Sequence, residues 1–265
     1  MTLPTSTTAA TSTLPHRLDR TVVIRAAPDT VFRFFTDNVR WAAWWGAGST
    51  IEARPGGAVL IRYPDGTEVA GEVLDLASPD RIVFTYGYVS GKMIPPGGSR
   101  VAIRLEPHED GTRLHLTHEF AEAAVRDVHI QGWRYQLSLF SNAVANEVHS
   151  GATTAVDDWF TTWTIVSEPD RERALRRIVA PEVVYRDRFS AVGGLEDLVP
   201  HISAAQRFMP GIRLQRTGAV RHCQGAVLAD WIASASDGQQ RATGTNLFIF
   251  GVDGRMRSVT GFWNG

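Results

Sequence analysis

The stretch Asp127 to His149, DVHIQGWRYQLSLFSNAVANEVH, is the longest helical pattern in the chain and stands between two runs of alternating strands. Ile130, Trp133, Leu137, Phe140, Val144 and Val148 recur every three or four residues, which lines one face of a helix. Asp127 is placed to cap its first turn. Such a helix runs about 30 Å at roughly 1.5 Å per residue. Its apolar stripe needs a sheet to cover it, and the strands just before it are the obvious supplier. Gly132 would let that sheet approach closely at one point, at a cost of up to about 1 kcal/mol relative to alanine. The helix is expected to close one domain and lead into another.

A chain of 265 residues with a hydrophobic fraction of 43% can bury two ordinary cores. The net charge of −1, with signs mixed along the chain, leaves no sustained basic stripe, so nucleic acid is not expected as a partner. Cys223 is the single cysteine, which excludes an intrachain disulfide framework and any multi-cysteine metal site. That usage suits a reducing cytoplasm. No stretch nears the roughly 20 apolar residues that span a bilayer, and the first residues lack the charged start and apolar run of a secretion signal. A soluble, cytoplasmic protein without membrane contact is the expectation.

Residues 1–18 are rich in Thr, Ser, Ala and Pro, and predict a disordered tail, because they bury too little to offset their ordering entropy. From Asp19 alternation predicts a strand, and Pro28 opens a short helix through Val31, Phe32 and Phe35. WAAWW at Trp41 to Trp45 follows as a second. A short run near Ile51 and five longer ones then alternate, Ala58–Tyr63, Thr67–Leu76, Arg81–Val89, Arg100–Glu106 and Thr112–Phe120, with turn signals between most of them. A strand, two helices, a six-stranded antiparallel meander and the long helix close only if the sheet curls around that helix.

This order of elements, with GEVLDL at Gly71, RIVFTY at Arg81, GTRLHLTHEF at Gly111 and HIQGW at His129, resembles the START-like (SRPBCC) superfamily. The branch related to the activator of the heat-shock chaperone ATPase is the most similar. The resemblance covers about residues 19–149 and implies an N-terminal helix-grip domain around an apolar ligand cavity.

After Ser150 the pattern resets. Val156, Trp159, Trp163 and Val166 make a helical stripe, Arg171–Val179 a second helix, and a strand starts at Glu182. GGLEDLVPHISAAQRFM reads as a helix that starts or kinks at Pro200. Four strands follow: Ile212–Cys223, Ala226–Ser236, Gln239–Phe250 and Arg255–Trp263. WTIVSEPDRERALRRIVAPEVVYRD, GGLEDLVPHISAAQRF, ADWIASA and NLFIFGVDGRMRSVTGFW look like a SnoaL-like polyketide cyclase or ketosteroid isomerase relative of the nuclear-transport-factor-2-like group. The resemblance implies a cone-shaped α+β barrel domain over 150–265, so the fold class expected of the whole is α+β.

Asp187 is the sharpest chemical candidate. In a strand it is in phase with Val183 and Tyr185, so a carboxylate facing inward would be desolvated, its pKa would rise, and it would serve as a base near neutral pH. The alternative is a structural aspartate paired with an arginine. The resemblance places a catalytic aspartate at Asp187 and oxyanion donors at Trp163 and Asn246, where the relatives carry a tyrosine and a protonated aspartate. An indole N–H and an amide can both donate. Trp163 reads equally as core. Tyr185, Phe248 and Trp263 would be pocket wall under either reading. In the first half, Tyr86 and Tyr88 share a strand face, and His129 and Trp133 look at one neighbourhood from the helix. These four would line a substrate cavity with His118, which also reads as a hydrogen-bonded core histidine. HLTHE at His115 is not a metal motif, since positions 115 and 118 point to opposite faces of a strand.

Three functions compete. The first is an enzyme without metal or organic cofactor, in which Asp187 takes a proton from a hydrophobic, polyketide-like molecule while Asn246 and Trp163 hold the enolate. The second is a non-catalytic carrier of a hydrophobic small molecule. The third is a cofactor of a chaperone ATPase. The second-half relatives often dimerise through their sheets, so a homodimer is expected.

Overall fold

The computed structural model describes residues 13–264. The chain forms two compact units: the first runs through Phe140 except for Arg25–Ala27, which join the second, and the second continues from Ser141. Each has its own antiparallel-rich sheet, and six helices are found among the described residues, a mixed α+β architecture.

In the first unit β1 (His16–Ile24) is followed by α1 (Pro28–Arg33), α2 (Asn38–Trp45), β2 (Thr50–Ile51), β3 (Ala58–Arg62), β4 (Glu68–Ala77), β5 (Arg81–Tyr88), β6 (Ser99–His108), β7 (Gly111–Phe120) and α3 (Ala123–Val148). The strands form one antiparallel sheet in the order β1-β7-β6-β5-β4-β3-β2, so only β1 departs from a simple meander. Residues 16–18, expected in a disordered tail, are instead the start of β1. His16 pairs with Phe120, Arg17 with Glu119 and Leu18 with His118, and Leu18 is buried. One inward apolar residue ahead of Asp19 was enough to extend the ladder. The remainder of that expectation, residues 1–12, lies outside the described residues.

The long helix starts at Ala123, four residues before Asp127, which therefore sits inside it and does not cap it. Its buried face carries His129, Trp133, Gln136, Leu137 and Phe140. That face meets aromatic side chains of α1 and α2 as well as the sheet. Phe140 stacks on Phe35 with centroids 5.0 Å apart, and Trp133 meets Trp45 at 5.7 Å. His129 lies against Tyr86 and Tyr88 of β5 and Phe120 of β7. This is consistent with a helix-grip arrangement. Gly132 does not mediate a close approach of the sheet: a Cβ built there meets nothing within 4 Å.

The second unit contains α4 (Ala152–Thr162), α5 (Glu168–Ile178), β8 (Val179–Arg186), β9 (Ala191–Gly193), α6 (Leu195–Phe208), β10 (Arg213–Cys223), β11 (Ala226–Ser234), β12 (Gln240–Phe250) and β13 (Met256–Asn264). The sheet order is β10-β11-β12-β13-β8-β9, with β13 and β8 parallel and the other pairs antiparallel. Strict alternation drives one face inward. On β11, Val227, Ala229, Trp231 and Ala233 are buried while their neighbours are partly exposed. Those residues join Trp159, Phe160, Leu175, Leu198, Ile202, Phe248 and Phe250 in one core. Ser167 caps α5 ahead of Pro169, so the Glu168-Pro169 step begins that helix. α6 runs unbroken through Pro200. Among the described residues no helix is long and apolar enough to cross a membrane.

Candidate functional site

A cavity of about 480 Å³ lies in the first unit, between the α3 face and the sheet. Trp45, Tyr63, Tyr86, Tyr88, His129, Trp133 and Gln136 form its wall. At its rim Met93, Val128 and Tyr135 are 56%, 64% and 66% exposed, an apolar lip facing water. The expected residues Tyr86, Tyr88, His129 and Trp133 thus meet around one space. Gly132 lines it too.

His118 is the exception, standing one layer behind the wall with no exposed surface. Trp133 Nε1 donates to its Nδ1 at 2.9 Å. The other nitrogen, Nε2, is 2.8 Å from Ser99 Oγ, which itself donates to the Tyr86 carbonyl at 2.7 Å. Burial, with His129 nearby, holds His118 well below its ordinary pKa. The ring is therefore neutral with its proton on Nε2. Both nitrogens are committed to holding Trp133 and Tyr86 in place.

His129 is neutral for the same reason, since burial lowers its pKa. Nδ1 lies 2.7 Å from the Val125 carbonyl, which can only accept, so Nδ1 carries the proton and Nε2 is bare. Tyr88 Oη, 3.1 Å away, therefore donates to Nε2. Tyr63 and Tyr86 hydroxyls are 3.1 Å apart. Burial pushes Tyr63 up to about 12 and Tyr86 well above the ordinary phenol value, so both remain protonated.

HLTHE is split across the sheet as its strand setting requires. His115 bonds Thr21 and Glu106 on the partly exposed side, while His118 is inside. Among the described residues no three His, Cys, Asp or Glu side chains gather into a metal-binding set.

In the second unit Asp187 lies one residue past β8 and opens a turn, rather than projecting from mid-strand. Its Oδ1 accepts from the backbone N–H groups of Phe189 and Ser190 and from Ser190 Oγ, each at 2.8 Å. Its Oδ2 accepts from Tyr185 Oη at 2.8 Å and from Trp263 Nε1 at 3.3 Å. Burial pushes the carboxyl upward, but the bonds from Ser190, Phe189, Tyr185 and Trp263 together hold it below the ordinary carboxylate value. The expected rise in pKa is thus reversed, because five donors meet a group with about four lone-pair positions. No arginine takes part in this set of bonds.

Asn246 sits across Gly261 from Asp187: a Cβ on Gly261 would fall 3.2 Å from Asn246 Oδ1 and 3.3 Å from Asp187 Cβ. Asn246 Oδ1 accepts from Trp231 Nε1 at 2.9 Å. Trp163 ends α4, with its ring near Tyr185 and His201 and its indole N–H buried without a partner. Phe248 is fully buried among Trp159 and Phe160. Trp263 packs on Phe189 and Trp231. Sequence reading missed Ser190 and His201, whose Oγ and Nε2 are 3.3 Å apart. Asp187-Arg-Phe-Ser is an aspartate-led turn signal that could have found Ser190. Nothing in sequence marks His201.

Residues 25–145 match a family model described as Activator of Hsp90 ATPase homolog 1-like protein. No curated protein matches the chain. Among solved structures, a SnoaL-like family protein from Agrobacterium tumefaciens is 23% identical, with 45% of this chain and 99% of that one covered and a TM-score of 0.42. The Aha1 dimer from Colwellia psychrerythraea is 18% identical over 49% of this chain and 96% of that one, with a TM-score of 0.43. CalU16 from Micromonospora echinospora is 24% identical over 49% and 76%, with a TM-score of 0.39.

Proposed function

We propose that this protein binds a small, largely apolar molecule in the cavity of its first unit. The observation that carries this reading is the cavity itself. Its 480 Å³ lies within the roughly 300–1,000 Å³ typical of small-molecule sites, and aromatic walls meet a few fixed polar groups. The apolar lip at Met93, Val128 and Tyr135 gives such a molecule a path in from water. Titration with the neutral fluorophore N-phenyl-1-naphthylamine should give saturable, one-to-one binding. Gly132→Leu should weaken it at least about tenfold, because the new side chain enters open space in the lining. The same change should raise thermal stability slightly, since leucine is the better helix former by up to about 1 kcal/mol. Unchanged affinity in that variant would sink the proposal.

A second reading places acid–base chemistry in the second unit, whose sheet and α4–α6 would then form a cone. The unpartnered Trp163 N–H and the closeness of Asp187 to Asn246 favour it. Asp187 would abstract a proton next to a carbonyl, and Trp163 and Asn246 would hold the resulting enolate, leading to isomerisation, cyclisation or dehydration. The test is exchange of α-protons in D2O, followed by NMR over a panel of β-diketones and polyketide-like enones. Exchange that survives Asp187→Asn, or none in the wild type, removes this reading.

A further inference from the structure

The hydrogen bonds that saturate Asp187 lead on to a second titratable side chain. Ser190 has a single hydroxyl proton, and Asp187 Oδ1, 2.8 Å away, takes it. Asp187 is ionised at neutral pH, because its donors hold it below the ordinary carboxylate value, so Oδ1 can only accept. Ser190 Oγ therefore meets His201 Nε2, 3.3 Å away, with a lone pair and no proton. The proton of a neutral His201 belongs on Nε2, which leaves Nδ1 bare. His201 is only partly buried on α6, and nothing among the described residues hydrogen-bonds to that Nδ1.

Carboxylate, hydroxyl and imidazole thus stand in line. When Nδ1 takes a proton, the imidazolium keeps its Nε2 proton on the Ser190 hydroxyl, and the Asp187 charge one hydroxyl further on stabilises the cation. Asp187 itself has no such opening: five donors cover its roughly four lone-pair positions, so a substrate proton would have to displace one of them. The His201 ring lies 5.6 Å from that of Tyr185 and 6.2 Å from that of Trp163. Trp163 brings to this neighbourhood an indole N–H that is buried and unpartnered, a donor suited to an oxyanion. A bare base and an unused donor therefore share one set of aromatic neighbours.

We infer that His201 is the base of the second unit, its Nδ1 taking the α-proton of a carbonyl compound, while Ser190 and Asp187 are positioning residues that fix its ring and tautomer. The C–H bond breaks, its electron pair passes into the enolate, and the proton stays on Nδ1 until it returns to carbon or is exchanged with solvent. This rests on acid–base chemistry taking place in the second unit, and it moves the proton acceptor from Asp187 to His201.

Long-range 1H–15N NMR of the full chain should show the His201 proton on Nε2, and Ser190→Ala should mix the two tautomers while leaving the circular-dichroism spectrum unchanged. Exchange of the α-protons of benzoylacetone in D2O, above the buffer rate, should fall at least about 100-fold in His201→Gln, the lower end of what a positioned base supplies. Imidazole added to His201→Ala should restore part of it, which it would not do for a merely structural histidine. Ser190→Ala and Asp187→Asn should each slow exchange about tenfold without abolishing it. A proton on Nδ1, exchange that His201→Gln leaves intact, or a loss that imidazole does not restore overturns the assignment. If exchange is then abolished by Asp187→Asn, acid–base chemistry stands with Asp187 as its base. No exchange in the wild type, on benzoylacetone or the rest of the β-diketone and enone panel, overturns both.

Discussion

Asp187, partly buried, and His149, buried, show how differently two titratable groups can be served. Asp187 receives five donors. His149 is 5% exposed and neither ring nitrogen has a partner. Replacing Asp187 by alanine strands the Tyr185 hydroxyl and the Trp263 indole, and should cost about 2 kcal/mol at pH 7 in urea denaturation. Because the folded pKa is lowered, that stabilisation is present above the unfolded value near 3.9 and is lost as pH falls through the folded value. The gap between wild type and Asp187→Ala should therefore close below about pH 4. An unchanged gap at pH 3 would mean the carboxylate charge contributes nothing.

His149 behaves in the opposite sense. Burial, helped by His222 and Arg25, lowers it from 6.5 to about 4. Its other close neighbours, Phe250 and Gly225, offer it no charge. Above pH 6.5 it is neutral in both folded and unfolded chains and has no effect. Between pH 6.5 and 4 the unfolded chain takes up a proton that the folded one refuses, so stability falls as pH falls. At pH 5.5 the loss should be about 1 kcal/mol. His149→Leu should flatten that part of the stability profile of the second unit.

At the scale of elements, the join of α5 and α6 depends on a cation that sequence reading passed over. Arg171 has no exposed surface. Its guanidinium donates to the carbonyls of Ile165, Val166 and Val199 and to Ser203 and Gln206. It thus ties the α4–α5 connection and α6 to α5, and burial lowers its pKa. Arg171→Met roughly keeps the volume but removes six hydrogen bonds, and only Ile165, Val199 and Ser203 keep another partner, from Gln206, Ser203 and Glu168 respectively. Loss of about 3 kcal/mol, read from the denaturation midpoint, is expected. A loss under about 1 kcal/mol would mean that water replaces the guanidinium. α3 makes the complementary point. Its apolar stripe at Trp133, Leu137 and Phe140 was plain from spacing and is buried as expected. Spacing could not say that Phe140 would meet Phe34, Phe35 and Trp44 of the short helices, because nothing local links residues a hundred positions apart.

For the molecule as a whole, two separate cores lead us to expect two calorimetric transitions, with Arg171→Met lowering only one of them. A single transition shifted as a block would mean the units unfold together. The place of β1 beside β7 does not follow from local sequence, whereas strand positions, the meander order of β2 to β7 and the helix–strand succession of the second unit follow from short-range alternation and turn residues, which act within a few positions of the chain. So do the inward faces that carry Tyr86, Tyr88 and His118. Charge state and hydrogen-bond direction do not. The lowered pKa of Asp187 comes from donors at Tyr185, Phe189, Ser190 and Trp263, and the tautomer of His129, which makes Tyr88 its donor, comes from one carbonyl at Val125. Periodicity decides which side of an element is buried. What a buried polar atom faces is decided by the turn around it and by the segments that close on it: Asp187 takes four of its five donors from Tyr185, Phe189 and Ser190 beside it and one from distant Trp263, whereas His118 is held by Ser99 and Trp133, which only the folded sheet and helix bring to it.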